Sequence, residues 1–147
     1  MKKHRIVCVF SVLFVVLLCM SLLTACRAFQ RIEENQVEKI VVWVYDYGKK
    51  EYEMTSDDTK KFIELYNSSK YGGEGTGEGC TPEFGIHVYF RDGTYLLVND
   101  FCGFRKFEVS FRNADGVQKA WYYISSEEFS AFAADLADKA EMNITER

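Results

Sequence analysis

The stretch FGIHVYFRDGTYLLVNDF, residues 84–101, decides how the fold is read. Two runs of aromatic and β-branched residues, Phe84 to Arg91 and Thr94 to Phe101, flank Asp92-Gly93, and Asp-Gly between two apolar runs is a strong signal for a tight antiparallel hairpin. A two-residue loop sets Arg91 opposite Thr94, and hence Val88 opposite Leu97 and Phe84 opposite Phe101. Side chains alternate across a strand. This register therefore places Phe84, Ile86, Val88, Phe90, Tyr95, Leu97 and Phe101 on a core face, with His87, Tyr89, Leu96 and Val98 on the opposite one.

Toward the C-terminus the pattern repeats. A second hairpin runs from Arg105 to Asn113 and from Val117 to Ile124 around Asp115-Gly116. Its inner face carries Phe107, Val109, Phe111, Ala120, Tyr122 and Ile124, and its outer face Glu108, Ser110, Arg112, Lys119, Trp121 and Tyr123. Ser125-Ser126-Glu127-Glu128 fits a capping box, with Ser125 as cap and Glu128 three places on. Phe129, Phe132, Ala133, Leu136, Ala137 and Ala140 then recur at helical spacing, which predicts a closing amphipathic helix.

Toward the N-terminus lies the stretch Gly72 to Gly79, with five glycines in eight positions, which reads as a loop. It has no Gly-Lys-Ser/Thr ending, and Glu74 and Glu78 would repel phosphate, so it is not a phosphate cradle. Before it, Phe62, Ile63, Leu65 and Tyr66 give a helix its buried stripe. Thr55 or Ser56 caps that helix, and Asp57 and Asp58 suit the positive end of its dipole. Ile40 to Tyr47 and Lys50 to Met54, joined at Gly48-Lys49, read as a hairpin. The order strand, strand, helix, four strands, helix predicts an α+β domain, an antiparallel sheet of about six strands with both helices on one face. The pattern leaves the strand order open.

Residues 1–25 have the layout of an export signal: Lys2, Lys3, His4 and Arg5, then an apolar run from Ile6 to Leu23. The run ends in Leu23-Thr24-Ala25-Cys26. That tetrapeptide resembles the lipobox of bacterial lipoproteins, in which the cysteine thiol receives a diacylglyceryl group and a signal peptidase cuts just before it. The resemblance covers the first 26 residues. It implies lipid on Cys26, a membrane partner through that lipid, and residence on the extracytoplasmic face of the cell membrane. The organisation expected is a signal at 1–25, a lipidated cysteine and polar tether at 26–37, and one domain at 38–142.

Removing residues 1–25 leaves 122 residues, the size of one domain. Three of the eighteen basic residues leave with the signal and none of the twenty-two acids, so the mature charge is −7 with histidine neutral. Such a balance argues against a nucleic-acid partner, which calls for a basic surface. Of five cysteines only Cys80 and Cys102 remain as thiols. They make a poor zinc site, and an oxidising compartment favours a disulfide between them.

No catalytic, metal or cofactor motif stands out. His87 is the only histidine left, reads as structural or surface, and would have to serve any Ser-His-Asp or Cys-His arrangement. Asp57/Asp58 and Glu127/Glu128 are accounted for by helix starts, and Glu74 and Glu78 lack the alternating Asp and Asn of a calcium loop. The informative feature is the sheet's second face, to which Trp43, Tyr45, Tyr47, His87, Tyr89, Trp121 and Tyr123 all point if the strands pair as supposed. Rings with polar tips bury area at low entropy cost and suit recognition of an envelope protein, a peptide or a glycan. Cross-strand aromatic pairs also stabilise a bare sheet face without binding anything. The expectation is a non-enzymatic binding or interaction module at the cell envelope; the alternative is a small envelope hydrolase or an accessory subunit of one.

Overall fold

The turn at Asp92-Gly93 closes one residue longer than its sequence suggests. In the computed structural model, which describes residues 29–44, 50–76, 82, 84–101, 103 and 105–145, Gly93 N donates to Phe90 O and Phe90 N to Thr94 O, both at 3.0 Å. The loop is thus the three residues Arg91-Asp92-Gly93, with Gly93 at φ 83°, in the left-handed region open to glycine. Asp92 clamps it, its carboxylate accepting from Thr94 Oγ1 at 2.6 Å and Thr94 N at 2.9 Å. These bonds hold its carboxyl below the usual pKa.

One extra loop residue flips a whole strand. Val88 faces Leu96, His87 faces Leu97 and Ile86 faces Val98. Leu96 and Val98 are therefore in the core, both fully buried, while Tyr95, Leu97 and Phe101 move to the second face, reversing the assignment drawn from a two-residue loop. The second hairpin closes the same way, with Gly116 at φ 81°, Gly116 N donating to Asn113 O and Asn113 N to Val117 O. Here the expected faces hold, with Phe107 opposite Ile124, Val109 opposite Tyr122 and Phe111 opposite Ala120.

The strands are β1 (Val37–Val44), β2 (Lys50–Glu53), β3 (Lys70–Glu74), β4 (Phe84–Phe90), β5 (Tyr95–Phe101), β6 (Lys106–Arg112) and β7 (Gln118–Ser125). They form one antiparallel sheet in the order β2-β1-β4-β5-β6-β7-β3 and, with two helices, an α+β fold. The seventh strand is β3, where the glycine-rich loop was expected to begin. The glycines make it a strand rather than preventing one. Gly72 lets the backbone lie 3.2 Å from Tyr123 Cβ, measured from where its own Cβ would be, and Gly75 N donates to Trp121 O at 3.0 Å.

Helix α1 (Ser56–Ser68) is capped by Thr55, whose Oγ1 accepts from Asp58 N at 3.2 Å, and buries Phe62, Ile63 and Tyr66. Helix α2 (Glu127–Thr145) starts one residue later than the capping box implied. Ser126 is its cap, accepting from Phe129 N at 3.2 Å, because Ser125 is still paired with Lys70 in the sheet. Phe129, Phe132, Ala133, Leu136 and Ala140 are buried as the spacing predicts. Phe129 meets Phe62 and Tyr66 late in α1, and Lys139 reaches Asp58 early in α1 at 3.2 Å, so the helices run antiparallel. Phe129 stands edge-on to Phe107 at 4.8 Å, fixing the pair to the face that carries Ile40, Val42, Ile86, Val88, Leu96, Val98 and Val109. Asp100 also points there. Its Oδ1 accepts from Phe84 N at 3.0 Å, so this buried carboxylate is hydrogen-bonded.

The chain divides after Gln30, and Arg31–Arg147 forms one unit. Part of the stretch expected to be a tether packs into that unit. Ile32 is 2% exposed, its N donates to Asn67 Oδ1 at 2.9 Å, and Asn67 Nδ2 donates to its carbonyl at 2.8 Å. A short 3-10 turn, Glu34–Gln36, then leads into β1 beside the first hairpin turn, where Arg91 N donates to Gln36 O and Arg91 Nε to Asn35 O.

Candidate functional site: the sheet face opposite the helices

The cross-strand register lays out the second face as rows. One runs Val41, His87, Leu97, Ser110, Trp121; the next runs Trp43, Gly85, Asn99, Glu108, Tyr123. Lys39, Tyr89, Tyr95 and Arg112 form a third. Among the described residues no helix lies on this face.

The rings gather in two groups rather than one platform. On the β1–β4–β5 side, Trp43 stacks on His87 at 4.0 Å, and the chain of rings continues through Tyr89 to Tyr95 at 6.2 and 6.4 Å. Lys39 Nζ lies 5.2 Å from the Tyr89 ring centre. His87 is 9% exposed under the indole and behaves as a packed histidine. On the β5–β6–β7 side, Phe101 meets Tyr123 edge-on at 5.3 Å, and Lys106 Nζ sits 3.6 Å above the Tyr123 ring, a close cation–π contact. Trp121 Nε1 donates to Glu108. Trp121 also lies flat against the β3 end, since a Cβ on Gly75 would come within 2.5 Å of its ring, and Thr76 Oγ1 is 3.3 Å from Tyr123 OH.

The site expected from the sequence is thus split. Trp43, His87 and Tyr89 come together; Trp121 and Tyr123 form the second group, three strands from β4 or about 14 Å away. Tyr123 is 4% exposed and partly closed over by Thr76. Between the groups lie Leu97, Asn99 and Ser110, and the buried acceptor Asn99 Oδ1 meets no hydrogen-bond partner among the described residues. Tyr95, Phe101, Lys106 and Glu108 were not singled out from the sequence. The first two were hidden by the slipped register, whose one local clue is that Gly93 can take the left-handed position of a three-residue loop. Tyr45, Tyr47, Cys26, Cys80 and Cys102, with the proposed disulfide, the lipid attachment and the signal segment, lie outside the described residues.

Elsewhere, an open cleft of about 850 Å³ lies where α2 starts, lined by Lys70, Arg105, Glu127 and Glu128 among others. Two bases and two acids leave it no sign preference. Among the described residues no group of three or more His, Cys, Asp or Glu could hold a metal ion, and no helix is long and apolar enough to cross a membrane. No protein-family model, no curated protein and no solved structure matches the chain.

Proposed function

We propose that this chain is a membrane-anchored lipoprotein whose domain is a non-enzymatic binding or interaction module on the extracytoplasmic face of the cell envelope. The observation that carries the binding half is the row of rings Trp43, His87, Tyr89 and Tyr95 on a sheet face that neither helix covers. Rings held by strands are rigid before any partner arrives, so little side-chain entropy is lost on contact. No cofactor is needed for this role. The anchor rests on Leu23-Thr24-Ala25-Cys26 and the apolar run before it.

A photo-crosslinking residue placed at Tyr89 or Tyr95 tests the surface in living cells, with Glu64 on the exposed side of α1 as control. Discrete adducts from the sheet face and none from Glu64 are expected. Equal or absent adducts at all three positions would remove the binding reading. The anchor is tested separately: Cys26→Ser should abolish labelling by radioactive palmitate.

A further inference from the structure

We infer that the sheet face takes an acidic glycan, a run of sugars bearing carboxylates, laid across the strands along the row Lys39, Tyr89, Tyr95, Arg112 and Gln118. The inference rests on the binding reading above and names the class of partner. The row is one line of cross-strand neighbours: Lys39 faces Tyr89, Tyr89 faces Tyr95, Tyr95 faces Arg112 and Arg112 faces Gln118. Two rings therefore stand side by side with a cation beyond each, the cations about 14 Å apart across three strand spacings. Glu53, Glu51 and Glu108, the acids that the ladder places on this face, stand in the other two rows. Of the acids in the adjoining turns, Asp92 accepts from Thr94 and Asp115 from Asn113. On a chain that is acidic overall, at net −4, the row is a local positive stripe.

The two cationic ends are built differently. Lys39 is exposed, with its Nζ 5.2 Å from the Tyr89 ring centre. Arg112 is half-buried and clamped: its Nε donates to Ser110 Oγ and its Nη1 to Gly116 O, each at 3.3 Å, and Ser110 Oγ donates on to Gln118 Oε1 at 3.0 Å. Among the described residues neither cation pairs with a carboxylate, and Arg112 Nη2 and Gln118 Nε2 donate to nothing. Donors held in place before a ligand arrives suit a carboxylate. A glycan fits this row better than a peptide does. Main-chain groups within the sheet are already paired in the ladder, so a peptide crossing the face would leave its own backbone unpaired, unlike one added at an edge. Sugars instead lay flat C–H faces on the tyrosine rings, and their carboxylates reach Lys39 and Arg112 on either side.

Binding of the purified full-length protein, in detergent micelles, to immobilised hexagalacturonate and hexamannuronate tests the inference. Binding to at least one is expected. It should weaken about tenfold or more when Lys39→Gln is combined with Arg112→Gln, and likewise when the sugar carboxylates are methyl-esterified, and stay unchanged in Lys60→Gln on the exposed side of α1. Urea melts check that the variants compared are folded; Lys39→Gln alone, at an exposed side chain, replaces the double variant if that one is not. No binding to either sugar, equal binding of the methyl esters, or equal binding by the charge variant would overturn the acidic-glycan inference alone, provided Tyr89 and Tyr95 still give crosslinked adducts. Tighter binding to poly-glutamate than to both sugars would assign the face to an acidic peptide and overturn it too. Absent adducts at Tyr89 and Tyr95 would remove the binding reading and this inference with it.

Discussion

The hydroxyls of Tyr66 and Tyr122 meet at 2.7 Å in the interior, joining α1 to β7, the strand next to the β3 edge of the sheet. Both rings are buried, and burial, followed by the neighbouring Tyr122, pushes the Tyr66 hydroxyl well above the ordinary tyrosine pKa. The fold therefore favours the neutral phenol. Stability from this site is fully present below the unfolded value near pH 10 and is lost as pH rises from there toward the folded value.

Tyr66→Phe should accordingly flatten the loss of stability above about pH 10 in urea melts. At pH 7, Tyr66→Phe and Tyr122→Phe should each cost about 1 kcal/mol, and the double variant less than their sum, because both singles remove the same bond. Additive costs would mean that the hydroxyls do not interact.

The register of β5 makes a sharp contrast between neighbours. Leu96 is fully buried and Leu97 is half-buried on the second face. Leu96→Ala should cost about 3 kcal/mol and Leu97→Ala about 1 kcal/mol or less in the same melt. The reverse order would restore the two-residue loop.

Gly75→Ala puts a methyl carbon where the Trp121 ring already is. Either the indole or the β3 end must move, at a cost of about 1–3 kcal/mol. Combining it with Trp121→Ala should recover part of that cost, whereas a clash with backbone would not be relieved.

The cap of α2 is tested by a pair of serines. Ser126→Ala removes the acceptor for Phe129 N and should destabilise the protein by about 1 kcal/mol, while Ser125→Ala should change little. Equal effects would argue for the capping box instead.

For Cys80 and Cys102 the expected outcome is a bridge in the exported, unreduced protein, closing a loop of 23 residues and adding about 3 kcal/mol. Titration finding two free thiols per chain would rule it out.

Local chemistry was enough to determine every element except β3. Asp-Gly pairs marked both hairpins, period-two runs marked strands, and Phe62 to Tyr66 and Phe129 to Ala140 marked the helical stripes, because each signal is written within a few residues of the backbone it shapes. The proposed leader and the lipobox-like Leu23-Thr24-Ala25-Cys26 are likewise local patterns, so the anchor is a proposal that rests on sequence alone. Tertiary structure decided the rest. A two- and a three-residue loop share the Asp-Gly signal but differ by one step of register, and the difference sends Leu96 and Val98 inward and Tyr95 and Phe101 outward. Either choice buries one of the polar pair Asn99 and Asp100; only the bond from Phe84 N to Asp100 shows which one the core can hold. The strand status of Lys70–Glu74 had no local signal, since glycine-rich backbone becomes a strand only when Trp121 and Tyr123 of β7 lie across it. That long-range packing also divided the aromatic face into two groups.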